Sequence, residues 1–356
     1  MDWTLLVVIL ALSALGTTAV YSASYQLSAA TGTLYFKRQV FWLALGLLLF
    51  FFLAAADYRK VVAGGYFLAG CTTLMLVVIL ALGESRYGAR RWIQLGGFTV
   101  QPSEYAKVTL ILMLSRYLTV KYDRRSRWSY IFIPCGLAAV PALLIRQQPD
   151  LGTALIFLPV TLGLIFVAGG RVRNILIILL ILALLAPGTW FYLKDYQKTR
   201  LLVFLNPGLD PSGAGYTILQ SKIAIGSGGI WGKGWLSGTQ NMLSFLPERQ
   251  TDFIFSVLAE EWGFAGCLLT LGLYGVLFSR LLLIALKCRE MTGKLLVGGA
   301  ILVLASHVGI NIGMAAGLLP ATGLPLPMIS YGGSVTTAVL ALLGLCQSVY
   351  THRYFY

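Results

Sequence analysis

Asp252 ends a cluster of hydrogen-bonding and ionisable side chains, Glu248, Arg249 and Gln250, and stands directly before Phe253, Ile254 and Phe255, where a long apolar run resumes. Glu260 and Glu261 follow two to three turns later if that run is helical, and Glu260, eight residues on, comes nearest to the Asp252 face. An acid at a helix start has a modest use available. It caps free N–H groups and suits the helix dipole, for about 0.3–1 kcal/mol. Capping accounts for one acid but not for the company Asp252 keeps, so Asp252 is the leading candidate for chemistry.

Other ionisable groups stand in comparable places. Glu104 follows Pro102 and Ser103 and precedes Lys107 by three residues, which puts both on one helix face. Lys107 lies about one turn into an apolar run, where an ionisable group costs on the order of 3 kcal/mol unless it snorkels, pairs or faces water. The pair therefore either reaches the surface or lines a polar cavity. For Asp150, just before Leu151, Gly152 and Thr153, capping is the leading reading and a substrate contact the second. His307 and Asn311, four residues apart, read as inter-helix hydrogen-bonding groups of the kind that join helices in membranes. Ser330, Gly332, Gly333 and Ser334 read as a flexible loop or helix start.

The elements that must place these groups are apolar. The chain is 58% hydrophobic and 11% charged, where soluble domains are roughly a quarter charged. It is expected to be all-α, a polytopic integral membrane protein forming one domain over residues 1–356. About ten transmembrane helices are expected, at 3–22, 39–56, 61–82, 103–118, 129–146, 151–169, 174–193, 252–286, 294–316 and 334–351. Residues 252–286 exceed one bilayer, so that helix should tilt or protrude. An even count puts both termini on one side. Residues 194–251 form a large outer loop between spans seven and eight, and such a length marks a functional loop or short amphipathic pieces at the interface. No internal repeat of the transporter kind is visible.

The net charge of +14 does not point to nucleic acid, because of where the charges lie. With the N-terminus cytoplasmic, the short inner segments hold Arg59, Lys60, Lys121, Arg124, Arg125, Arg127, Arg171, Arg173, Lys287, Arg289, Lys294 and Arg353. The outer cations are more dispersed and call for another explanation, for which an anionic substrate suffices. The first apolar run lacks a basic leader and reads as a retained signal anchor. The five cysteines form no CxxC pair, which leaves no disulfide framework and no zinc site. The glycine-rich stretch fails as a phosphate loop: Gly232 and Lys233 are followed by Gly234 instead of Ser or Thr, and Ser227 stands where the first glycine belongs.

Five motifs in one order carry a resemblance: "QPSEYAK" (101–107), "QPDLGT" (148–153), "SGAGYTILQSKIAIGSGGIWGKGW" (212–235), "LPERQTDFIFSVLAEEWG" (246–263) and "GLLPATGLPLPMISYGGS" (317–334). From about residue 34 to the C-terminus the chain resembles the SEDS family (shape, elongation, division, sporulation), and its elongation members more than its division members. The resemblance implies a peptidoglycan glycosyltransferase. Such proteins polymerise lipid II, a disaccharide-peptide on undecaprenyl pyrophosphate, into β-1,4-linked glycan strands at the outer face of the bacterial cytoplasmic (inner) membrane.

The family's essential aspartate falls on Asp252, its fourth-span pair on Glu104 and Lys107, and its loop tryptophan on Trp92. Many members have histidine where this chain has Gln250, so no histidine is needed there as the base. Asp252 would take the proton of the acceptor hydroxyl. Arg249, Arg200, Lys222, Lys107 and Arg90 or Arg91 would clamp the pyrophosphate, and Glu104 and Gln197 would orient substrate or hold the cations. Gln250, Asp150 and Ser330 complete the expected substrate-binding set. No organic cofactor is expected; a divalent cation, Mg²⁺ or Mn²⁺, on the substrate pyrophosphate stays open. The partners implied are a class B penicillin-binding protein, which is a transpeptidase, and other membrane proteins of the elongation machinery. Two alternatives remain at this level, a flippase for lipid II and a non-catalytic scaffold.

Overall fold

The computed structural model describes residues 1–25, 29–82, 91–95, 98–125, 128–211 and 213–353. Fourteen α-helices occur among them: α1 (Trp3–Tyr25), α2 (Ala29–Ala55), α3 (Tyr58–Ala63), α4 (Gly65–Leu82), α5 (Pro102–Val120), α6 (Ser129–Gln147), α7 (Leu151–Val167), α8 (Val172–Thr189), α9 (Asp195–Leu205), α10 (Ala214–Ser227), α11 (Thr239–Met242), α12 (Ile254–Lys287), α13 (Met291–Ala315) and α14 (Gly333–His352). Two short antiparallel strands, β1 (Ile93–Leu95) and β2 (Phe98–Val100), pair Ile93 with Val100 just before α5.

Each of the ten expected spans overlaps a helix, the third being α3 and α4 together. Seven of these helices are long and apolar enough to cross a membrane (α1, α2, α6, α8, α12, α13 and α14), and α4 and α7 are apolar but shorter. In α5, Ser103, Glu104, Lys107, Thr109 and Ser115 are all buried, and neighbouring helices supply partners for two of them, Thr72 for Thr109 and His307 for Lys107. The core is a bundle around α14, which is buried almost throughout, whereas α8 buries only Asn174 and Ile175. The expected outer loop contains α9, α10 and α11, the short pieces that its length suggested.

The 34-residue α12 is long because it is broken. Gly263 has φ 64° and ψ −160°, far outside helical geometry, and separates two helical segments. The break leaves main-chain groups without partners inside the apolar zone, and the glycine-rich stretch supplies them. The N–H groups of Lys233 and Gly234 donate to the carbonyls of Glu260 and Glu261, and those of Phe264 and Ala265 donate to Gly229 and Ile230. Backbone meets backbone here: a β-carbon on Gly263 would sit 2.6 Å from the Ile230 carbonyl oxygen, and Gly232, at φ 80°, is pressed against Glu261. The glycines permit this contact, which is the physical content of "GSGGIWGKGW".

A second irregular segment lies between α13 and α14. Leu324, Leu326, Met328 and Ile329 are buried in it, and Gly16 of α1 has the main chain of Met328 and Ile329 directly against it. Non-helical backbone at this depth is stable only where protein surrounds it. Tyr274 donates to the Pro327 carbonyl and His307 to that of Pro325.

Candidate active site

Asp252 is carried by a turn in which the N–H groups of Thr251 and Asp252 donate to the Glu248 carbonyl at 3.2 and 3.0 Å. Glu248 has φ 48°, a left-handed conformation that a non-glycine residue adopts at a cost of about 1–3 kcal/mol. The carbonyls of three successive residues are then fixed from outside the turn. Gln250 accepts from the Tyr331 N–H at 2.9 Å, Thr251 from Ser330 Oγ at 2.5 Å, and Asp252 from Asn311 Nδ2 at 2.9 Å. The main chain under Asp252 is thus locked, and the residue itself is half-buried.

Burial pushes the Asp252 carboxyl up to about 6; the negative charges of Glu248 and Asp150 add to the rise, and Arg200 and the Thr251 hydroxyl oppose it. A carboxyl with that value is ionised near neutrality and still basic enough to take a proton usefully. Gly323, at φ 74°, faces it: a β-carbon there would lie 3.4 Å from Asp252 Oδ2.

Two exposed cations contact the segment that carries Gly323. Exposed Arg200 donates to the Ala321 carbonyl at 3.1 Å, and exposed Lys222 lies over Gly317. Both flank the segment that faces Asp252.

Glu104 and Lys107 form a buried ion pair at 2.8 Å, each 3% exposed, so Lys107 does not snorkel. Its ammonium also meets His307 Nε2 at 2.6 Å. His307 Nδ1 is 3.1 Å from the Pro325 carbonyl, so Nδ1 carries the hydrogen and Nε2 accepts from Lys107. His307 and Asn311 join neighbouring elements, as membrane polar groups do, and the elements they join include the Asp252 turn and the loop opposite it. The carbonyls they hold had no signal in the sequence, because any residue supplies a backbone carbonyl.

The remaining expected residues separate into two groups. Asp150 caps α7, with Oδ1 accepting from the Thr153 N–H at 3.1 Å, while Oδ2 takes Gln101 Nε2 at 3.3 Å and faces Arg91 at 3.8 Å. Its field still reaches Asp252. Trp92 is 36% exposed beside Arg91, whose Nε donates to the Gln148 carbonyl. Gln250 is half-buried next to Asp252. Arg90 lies outside the described residues.

Arg249 is turned the other way from the expected clamp. It is buried and donates to the carbonyls of Ala23 and Asn241 and to Ser244 Oγ, which ties the turn to the end of α1. Gln197 is also buried, and it closes the start of α9 by accepting from the Lys194 N–H at 3.0 Å. Ser330 holds main chain on both sides, donating to Thr251 and accepting from the Leu326 N–H at 2.8 Å. Glu260 faces Lys233 at 2.7 Å and Glu261 takes the Ser22 hydroxyl, so both stand apart from Asp252. Among the described residues no group of three or more His, Cys, Asp or Glu side chains is placed to hold a metal ion.

Comparison with known proteins finds similarity along the whole chain. The chain is 41% identical over 354 residues to a peptidoglycan glycosyltransferase, MrdB, of Escherichia coli, covering 99% of this chain and 94% of that one. It is 32% identical to a peptidoglycan glycosyltransferase, RodA, of Treponema pallidum, covering 98% and 97%. Among solved structures, a chain of a peptidoglycan synthase complex that coordinates polymerization and crosslinking superposes with a TM-score of 0.83 at 38% identity, covering 99% and 98%. The rod shape determining protein RodA of Thermus thermophilus gives 0.74 at 35% identity, covering 99% and 97%. The profile of the cell cycle protein family that unites FtsW, RodA and SpoVE matches residues 2–354, and the chain belongs to that family, on its RodA side.

Proposed function

We propose that this chain is a peptidoglycan glycosyltransferase that polymerises lipid II at the outer face of the bacterial cytoplasmic membrane, with Asp252 as general base. The observation that carries the reading is a half-buried aspartate, its carboxyl raised to about 6, on a main chain held at three successive carbonyls, with exposed Arg200 near enough to act on it.

The reaction needs each of these parts. The 4-hydroxyl oxygen of the acceptor attacks the anomeric carbon of the donor, and Asp252 takes the hydroxyl proton as the new bond forms. The bond from that carbon to the pyrophosphate oxygen breaks on the opposite face, so the α-linked donor gives a β-1,4 link. Pyrophosphate leaves with its charge met by Arg200 and Lys222, Arg200 being able to bind two oxygens at once. The lipid tail stays among the helices while the sugars react in water, which suits a carboxylate at a bundle end. A divalent cation such as Mg²⁺ or Mn²⁺ would be held by the substrate's own phosphate oxygens and would add charge stabilisation there. No organic cofactor enters. The crosslinking half of a synthase complex, a class B penicillin-binding protein with transpeptidase activity, is the expected partner, alongside other elongation proteins.

The transport alternative asks for polar groups that face a passage through the depth of the bundle. The deep groups that composition singled out bond to neighbouring groups instead: Glu260 to Lys233, Glu261 to Ser22, His307 to Lys107, and the Asn311 amide nitrogen to two carbonyls.

The deciding experiment is glycan polymerisation from labelled lipid II by the purified protein, with and without a transpeptidase partner, beside Asp252→Asn. Loss of about 10²–10⁴-fold or more in the variant, with lipid II binding retained and the unfolding temperature not lowered, is the expected result. A folded variant that polymerises at the original rate would remove Asp252 from the chemistry. No polymer from the unaltered chain, with lipid II still crossing liposome bilayers, would favour transport.

A further inference from the structure

Asn311 belongs to α13 and is fully buried, so it touches no reactant. Its amide nitrogen donates to two carbonyls at once, Asp252 at 2.9 Å and Leu324 at 2.7 Å. These belong to the two segments that face each other across the carboxylate, because Gly323, next to Leu324, is the residue set against Asp252 Oδ2. One side chain on a long packed helix therefore fixes the spacing of the two walls of the site.

The other two hydrogen bonds on this turn, from Ser330 and Tyr331, come from the irregular segment itself. Asn311 is the donor that comes from a helix. The Asp252 carbonyl is held from outside the turn by Asn311, so the aim of the carboxylate follows from the main chain beneath it. Asn311 Oδ1, moreover, is buried without a hydrogen-bond partner. An orphan acceptor at such a depth is costly, and a leucine would avoid it. What the amide offers in return is its two N–H groups.

We propose that Asn311 is a positioning residue, which aims the Asp252 carboxylate by joining the carbonyls of Asp252 and Leu324. The inference rests on the glycosyl-transfer reading above. It differs from ordinary inter-helix bonding in what its loss should change: turnover, and not donor binding or folding.

The test compares Asn311→Leu and Asn311→Gln with the unaltered protein in its complex with a transpeptidase partner. It reads kcat and KM for lipid II, the pH dependence of kcat, and the unfolding temperature. A displacement of about 1 Å costs up to roughly 10²-fold in rate, so kcat should fall about 10- to 100-fold in Asn311→Leu while KM stays within about threefold. The acid limb of the pH profile should shift as the surroundings of Asp252 change. Asn311→Gln keeps both N–H groups one methylene further out; it should recover part of the turnover and, if Asn311→Leu does not fold, supply the same readings. Unchanged kcat in folded Asn311→Leu would overturn the proposal, as would Asn311→Gln recovering no more turnover than Asn311→Leu, a loss that tracks KM or unfolding alone, or, where only Asn311→Gln folds, an acid limb and kcat both unchanged. Absence of polymer from the unaltered protein would instead overturn the glycosyltransferase reading, so the two failures are distinguishable.

Discussion

At the scale of single residues, Asp252 links activity and stability to pH in opposite senses. As a base it works when ionised, so kcat should fall with one-proton steepness as the pH drops through about 6, the value to which burial raises it. For stability the sign reverses. The folded value lies above the ordinary 3.8, so the folded chain holds this proton more tightly than the unfolded chain does. The stabilisation is complete below about pH 4 and is lost as the pH rises through about 6. Asp252→Asn should therefore unfold at a higher temperature than the unaltered protein at pH 7.5, with the gap closing as the pH approaches 4. An equal gap at both pH values would mean that the charge of Asp252 is not what strains the turn. Asp252, Glu104 and Lys107 were legible in the sequence because a charge beside an apolar run must have a reason. Arg249 and Gln197 misled for a complementary reason: each bonds main-chain groups, and a sequence does not say which main-chain groups a fold will bring near.

At the scale of elements, the junction between the glycine-rich stretch and the break in α12 has two separable components. One is steric. Gly263 and Gly232 have positive φ and no room for a β-carbon, so Gly232→Ala should destabilise by about 1–3 kcal/mol, read as a lowered unfolding temperature in detergent. The other is electrostatic. Lys233 meets Glu260, whose Oε1 also accepts from Thr239 Oγ1 and the Gln240 N–H, with the Glu260 side chain 1% exposed. Removing one partner of a buried pair costs about 3–5 kcal/mol because the other charge is left alone. Lys233→Met should thus destabilise more than the double variant Lys233→Met, Glu260→Gln does. Additive losses in the double variant would show that the pair is not coupled. Expecting a tilted or protruding helix at 252–286 was reasonable from length, since apolarity continues through Gly263. The break became visible only with the partner segment that satisfies its main chain, about thirty residues upstream.

At the scale of the molecule, the order of helices was readable because each apolar run must span or pack, but the side on which the chemistry occurs has to be argued from charge. The start of α1 and the end of α14 lie at the end of the bundle opposite Asp252: Asp2 pairs with Arg280 towards the end of α12, and Ser348 near the end of α14 bonds the Tyr58 N–H and the Ala56 carbonyl. That end also carries Arg59, Lys60, Arg125, Arg171, Arg173, Lys287 and Arg289 in short segments, the pattern that the positive-inside rule expects of a cytoplasmic side. The cations on the Asp252 end sit beside the carboxylate, where a pyrophosphate gives them a purpose. A thiol-labelling experiment tests this orientation directly. In a chain whose five cysteines have been replaced, Leu209→Cys places a thiol on the Asp252 end at a residue 60% exposed, and Arg289→Cys places one at the opposite end, also exposed. A maleimide that cannot cross membranes should label Leu209→Cys in intact cells, and Arg289→Cys only after permeabilisation. The reverse pattern would put Asp252 in the cytoplasm and leave the outer-face reaction without its base, whatever the purified protein does in detergent.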